Sequence, residues 1–189
     1  DQSIKDTIIQ WKGTIKDGGA VVSYNKLQSV AGSFEAENVE TLSVPMLESV
    51  RNNIYARSAK MFNAPMLKSV GARLNADCAK MFNAPKLERV GWHLNAESAE
   101  TFNAPKLERV GGDLIIRKVK SLEGLDLKNI QIEGVLYISK HTTKEEMDWL
   151  SSAPGLQADL TEIDQGIKDT ITQWKGTIRD GGTVVSYDK

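Results

Sequence analysis

Two histidines, one cysteine and a column of carboxylates are the groups in this 189-residue chain that could do chemistry. His93 and His141 lie in different regions. Neither belongs to a Cys/His cluster with metal-ligand spacing, so no zinc site is expected. Cys78 stands where Ser58 and Ser98 stand in the neighbouring periods, and reads as a Ser-like surface position rather than an activated thiol. Glu88 and Glu108 share one column with Glu48 and Lys68. Paired carboxylates can serve as acid and base on a glycosidic bond. The plainer reading of the same column is a solvated strip of charge. No G-x-x-x-x-G-K-[ST] loop or G-x-S-x-G elbow is present. The chain is read as a non-enzyme with no cofactor, and a glycan-cleaving solenoid enzyme is a distant alternative.

Recognition is the stronger chemical candidate. One outward column runs Asn52, Ala72, Trp92, Gly112 and its neighbour Asn53, Arg73, His93, Asp113, with Tyr55 two residues on. Tyr55, Arg73, Trp92 and His93 together are the sort of surface that holds a protein or a glycan. The competing reading packs Trp92 over the glycines of an adjacent coil, notably Gly112 and Gly71.

These residues are positioned by a repeat. Pro45, Pro65, Pro85 and Pro105 are twenty apart, a solenoid signal that outranks local propensity. The apolar columns agree: Leu27, Leu47, Leu67, Leu87, Leu107 and Leu127; Val30, Val50, Val70, Val90, Val110 and Ile130; Phe34, Ile54, Leu74, Leu94 and Leu114; Leu42, Phe62, Phe82, Phe102 and Leu122. Small residues fill the columns between, Ala36, Ala56, Ala76 and Ala96, then Val39, Ala59, Ala79 and Ala99. One coil cannot bury such a set alone, but stacked coils can. The expected fold is mainly β, a leucine-rich-repeat-like or parallel β-solenoid over 27–140 with short helical caps at both ends. About six coils at a strand spacing of ~4.8 Å make a rod roughly 29 Å long. In the last coil the apolar pair slips by two residues, to Leu136 and Ile138.

The coils "KLERVGGDL" and "APKLERV" resemble bacterial leucine-rich-repeat proteins of the BspA-like or receptor-L-domain-like kind, over residues 27–138. The resemblance implies an extracellular, cell-surface or virion setting and an adhesive role. The chain departs from that pattern by placing Ala where the standard repeat carries its Asn ladder, so a horseshoe and a straighter β-solenoid both stay open.

The ends carry the other signal. Residues 1–26 read as a cap, with Ile4, Ile8 and Trp11 on one helical face and then two short strands around Asp17-Gly18-Gly19 as a hairpin. Residues 141–163 read as a helical C-terminal cap. Residues 164–189 repeat the opening segment, differing only at Ser3/Gly166, Ile9/Thr172, Lys16/Arg179, Ala20/Thr183 and Asn25/Asp188. Ile167, Ile171 and Trp174 thus restate Ile4, Ile8 and Trp11, and all six are candidate junction residues between tandem or head-to-tail copies. The expected partner is therefore the chain itself. The net charge of −1 argues against nucleic acid, and no apolar run reaches the roughly 18 residues of a membrane-spanning helix.

Overall fold

The computed structural model describes residues 1–122, 124–126, 130–138, 157–159, 177–180 and 183–186. It is a parallel β-solenoid of about six coils, with three sheets running along its sides. The first sheet stacks β1 (Gln10–Trp11), β4 (Ser29–Val30), β7 (Ser49–Val50), β10 (Ser69–Val70), β13 (Arg89–Val90), β16 (Arg109–Val110) and β18 (Gln131–Ile132). The second stacks β2 (Ile15–Gly18), β5 (Phe34–Glu37), β8 (Ile54–Tyr55), β11 (Leu74–Asn75), β14 (Leu94–Asn95), β17 (Leu114–Ile115), β19 (Val135–Tyr137), β20 (Gln157–Asp159), β21 (Thr177–Asp180) and β22 (Thr183–Ser186). The third stacks β3 (Val21–Ser23), β6 (Thr41–Ser43), β9 (Met61–Asn63), β12 (Met81–Asn83) and β15 (Thr101–Asn103).

The twenty-spaced prolines have a local cause. The N–H of Leu67 donates to the Ala64 carbonyl at 3.0 Å, and the Leu47, Leu87 and Leu107 N–H groups do the same to Val44, Ala84 and Ala104. Each Pro therefore occupies the second position of a four-residue turn, where its fixed φ is already correct. A second corner closes through Ala59, Ala79 and Ala99 bonding back to Ala56, Ala76 and Ala96. These alanines are wholly buried, because two tight corners leave room for little more than a methyl group. Between the corners one identity repeats in register: Leu74 pairs with Leu94, Val70 with Val90, Phe82 with Phe102. Rings of Phe62, Phe82 and Phe102 stack nearly parallel, with centroids 4.9 and 4.7 Å apart. Tyr24, Val44, Ala64, Ala84 and Ala104 form a further buried column.

The ends differ from the sequence-based expectation. Helix α1 is a single turn, Gln2–Lys5, so Ile4, Ile8 and Trp11 do not share a helical face. Ile4 is 62% exposed and Ile8 packs against the core from the edge. Trp11 lies in β1 opposite Val30 and remains 41% exposed, its indole N–H donating to the Thr14 carbonyl at 3.2 Å. The Asp17-Gly18-Gly19 stretch turns with Gly19 at φ 117°, yet β2 and β3 do not pair with each other. They pair with β5 and β6, which buries Ile15 and Val22 in the common core; residues 1–26 thus supply the first coil rather than a helix plus hairpin. The two-residue slip begins earlier than the apolar pair suggests, since Val110 pairs with Ile132 rather than Ile130, and Leu114 with Leu136. Of the helical cap expected over 141–163, residues 157–159 form strand β20; the rest of that range, Leu127, and Ile167, Ile171 and Trp174 lie outside the described residues.

Candidate functional site

The corner between the first and second sheets brings together three of the four residues singled out for recognition. The Arg73 guanidinium lies 4.2 Å from the centroid of the Trp92 ring, and the Trp92 and His93 rings stack with centroids 4.9 Å apart. Trp92 does two things at once. It covers Gly112 so closely that a Cβ there would come within 2.5 Å of its Cδ1, and it still leaves 48% of its surface in solvent. Beside it runs a shallow groove of about 260 Å³ lined by Arg73, Asn75, His93, Asn95 and Asp113 among others. Tyr55 is not part of this cluster. It faces Arg57 at 5.3 Å and lines a separate hollow with Glu35, Glu37 and Asn38.

Beneath the cluster is a hydrogen-bonded ladder. Thr14 Oγ1 accepts from the Ser33 N–H (3.2 Å), Ser33 Oγ from the Asn53 N–H (3.3 Å), and Asn53 Oδ1 from the Arg73 N–H (3.1 Å). Arg73 has no lone pair to continue the series. It resumes one coil on, where His93 Nδ1 accepts from the Asp113 N–H at 2.8 Å and Asp113 Oδ1 accepts from the Val135 N–H at 2.8 Å. The ladder fixes the imidazole tautomer with its proton on Nε2. The 3.4 Å approach of Asp113 Oδ2 to His93 Nδ1 is therefore not an ion pair, because that nitrogen's lone pair is already used. Arg73 Nε is buried and finds no hydrogen-bond partner among the described residues. Its charge is met instead by the indole face.

A second ladder runs along the third sheet. Asn83 donates to Asn63 and Asn103 to Asn83, each Nδ2 to Oδ1 at 2.8 Å. This asparagine series lies on an outer column, where Ser23 and Ser43 precede it, and not at the inward alanine positions that stand in place of the leucine-rich-repeat asparagine. The alternation Met-Phe-Asn at 61–63 and 81–83 is the signal that could have found it.

Glu88 and Glu108 line a hollow of about 660 Å³ with Arg89, Lys106, Arg109 and Asp126. Cations are interleaved with the carboxylates, and lower in the same column Glu48 pairs with Lys68 at 2.8 Å. Among the described residues no group of three His, Cys, Asp or Glu side chains gathers as a metal site would require, and Cys78 is exposed. No helix is long and apolar enough to cross a membrane among the described residues.

The chain matches no protein-family model, no curated protein and no solved structure.

At the C-terminal end, β20 continues the second sheet from β19, and β21, built from the repeated segment, pairs in parallel with β20. The register sets Gln157 opposite Thr177, Ala158 opposite Ile178 and Asp159 opposite Arg179. β22 then folds back on β21 antiparallel, with Ile178 opposite Val185 and Asp180 opposite Thr183. This is the hairpin that the Asp-Gly-Gly signal foretells, formed by the second copy of the segment and not by the first.

Proposed function

We propose that the chain is a structural and interaction module, one unit of a β-solenoid rod that continues end to end through copies of itself, as in an extracellular, cell-surface or virion fibre. One observation carries this reading: the repeated segment joins the same ladder that its first copy begins. The second sheet starts at Ile15, opposite Phe34, and Ile178, the counterpart of Ile15, re-enters that sheet eight strands later. The segment then recurs after eight ladder steps, about 38 Å along the second sheet at ~4.8 Å per step. Nothing in such an array needs a pocket, and the surface columns satisfy one another: Arg73 with Trp92, Glu48 with Lys68, Glu100 with Lys120 at 2.6 Å.

The test is a chain carrying residues 1–163 followed by 1–189. Small-angle scattering should give one stiff particle, longer than the single unit by about 38 Å. Two bodies on a flexible link would overturn the reading.

A second reading is a discrete ligand-binding domain, favoured by the 48% exposure of Trp92 beside the Arg73–Asn75–His93–Asn95 groove. Its ligand would be a protein or a glycan. Screening Trp92 emission against a glycan panel tests it, with loss of the response in Trp92→Ala as the expected mark. No response to any glycan, with surface retention of no protein, would remove it.

A further inference from the structure

We infer that the edge of β20 facing away from β19 is a socket for the 26-residue opening segment, filled in this chain by its own second copy and fitted equally to the first copy of another chain. This deepens the rod reading and rests on it.

The sequences of the two occupants agree where they matter. Thr177–Asp180 restates residues 14–17 with a single change, Lys16 to Arg179, which keeps the charge. Moving the observed register back by the repeat offset puts Thr14 opposite Gln157, Ile15 opposite Ala158 and Lys16 opposite Asp159. A basic residue stands opposite Asp159 in either case. The edge of β2 that would make this contact has no strand neighbour among the described residues, because β2 uses its other edge for β5. A parallel strand can pair on both sides, so one sequence serves as the last coil of one unit and the first coil of the next.

The second copy also ends the ladder. In the first copy, the residues equivalent to β22 leave as β3 and pair with β6 in the third sheet. In the second copy they fold onto the outer edge of β21, the edge that β2 gives to β5. The second copy therefore occupies the socket and covers the outer edge of β21 with β22, an antiparallel strand that replaces the parallel neighbour β5 provides for β2. Covered edges are how sheet proteins avoid adding strands from other chains. A tethered occupant has a local concentration on the order of millimolar, so it excludes a second chain at ordinary concentrations. From sequence alone the repeated segment looks like the adhesive end. With β21 already paired inside the chain, the expectation reverses: the repeat restrains growth, and losing it releases growth.

The experiment uses the full chain with Ile178→Pro and Arg179→Pro. These remove adjacent ladder donors from β21 and leave Ile15 and Lys16 intact. A chain ending at Ile163 serves as the second variant. Molar mass is followed against concentration by light scattering, with and without a free peptide of residues 164–189. The unaltered chain should stay at one chain's mass. The variants should grow past the dimer, since a head-to-tail contact that does not close is open-ended. Excess peptide should return them to a single chain plus peptide. Either a folded variant, judged by circular dichroism, that stays monomeric at every concentration, or growth that the peptide leaves unchanged, overturns the socket. A variant pair that does not fold also overturns it, because the first seven strands of the second sheet would then not stand without the filled socket. The two-unit chain separates the ideas: a stiff double-length rod alongside monomeric variants keeps the rod and removes the socket.

Discussion

The backbone N–H of Asp113 donates to Nδ1 of His93 at 2.8 Å, across one full coil. Two coils earlier the Arg73 N–H donates in the same way to Asn53 Oδ1, an amide oxygen in place of the ring nitrogen. The column thus asks for an acceptor, and an imidazole is one way of supplying it.

A direct consequence concerns substitution at that position. His93→Asn should leave stability near that of the parent, while His93→Leu should cost about 1–3 kcal/mol by leaving a part-buried N–H unpaired. Urea unfolding of the two variants checks the contrast. Equal losses would mean that the ring's packing on Trp92, and not its lone pair, is what the coil requires.

The stacked phenylalanines set the largest single-site effect. Phe82 is fully buried between Phe62 and Phe102. Phe82→Ala should lower stability by about 3–5 kcal/mol, since the coil backbone is pinned on both sides and cannot collapse into the void. Phe82→Leu, which Leu42 and Leu122 show to be tolerated in the same column, should cost distinctly less. Denaturant midpoints at unchanged slope are the measurement.

Overpacking at the corner is the complementary case. A Cβ on Gly91 would come within 2.0 Å of the Gly71 carbonyl oxygen, a backbone atom that cannot swing away. Gly91→Ala should destabilise by about 1–3 kcal/mol even though it adds one methyl group at the surface. Thermal unfolding reads this directly.

The first coil carries a pH dependence. Asp17 receives Lys5 Nζ at 2.5 Å and the Tyr24 hydroxyl at 2.9 Å. Burial alone would raise the Asp17 pKa, but the hydrogen bonds from Lys5, Tyr24 and the Gly18 N–H outweigh it and hold the carboxyl below its usual value. Burial, and then the Asp17 carboxylate, push the Tyr24 hydroxyl well above its usual value of 10.0. The signs follow from linkage. The Asp17 contribution is present above the ordinary Asp range and is lost as pH falls below about 3.9. The Tyr24 contribution is present below pH 10 and is lost as pH rises beyond it. Hydrogen exchange at Ser23 and Tyr24 should quicken at both extremes, and Asp17→Asn should abolish the acid limb.

Much of this architecture is legible in the sequence, because each coil writes its inward residues at the same phase. Leu74 over Leu94 and Phe82 over Phe102 are visible as columns in the twenty-residue alignment alone. The ends are less legible. Trp11 obeys a helical spacing from Ile4 and Ile8, yet the second coil offers an open ladder at Ser29–Val30, and pairing with that ladder wins over a short isolated helix. The Asp-Gly-Gly turn is ambiguous for the same reason: with a third-sheet neighbour available the chain makes a corner, and at β21–β22 it makes a hairpin. The cluster of Tyr55, Arg73, Trp92 and His93 expected from sequence is half legible. Arg73, Trp92 and His93 do meet, but Tyr55 belongs elsewhere, since a position two residues on turns onto the next face of the coil. The polar ladder is hidden by its variety, because Thr14, Ser33, Asn53 and His93 share a lone pair and little else.

The twenty-residue step of the central coils makes them interchangeable. Asn63-Ala64-Pro65 and Asn83-Ala84-Pro85 are the same words at the same corner. Excising residues 64–83 would join Asn63 to Ala84 and leave a Phe62–Phe102 contact in place of Phe62–Phe82, with every ladder still in phase. Duplicating those residues would do the converse. Length in this molecule is a counted quantity, adjustable one coil at a time while the ladders on either side of the change keep their partners in phase.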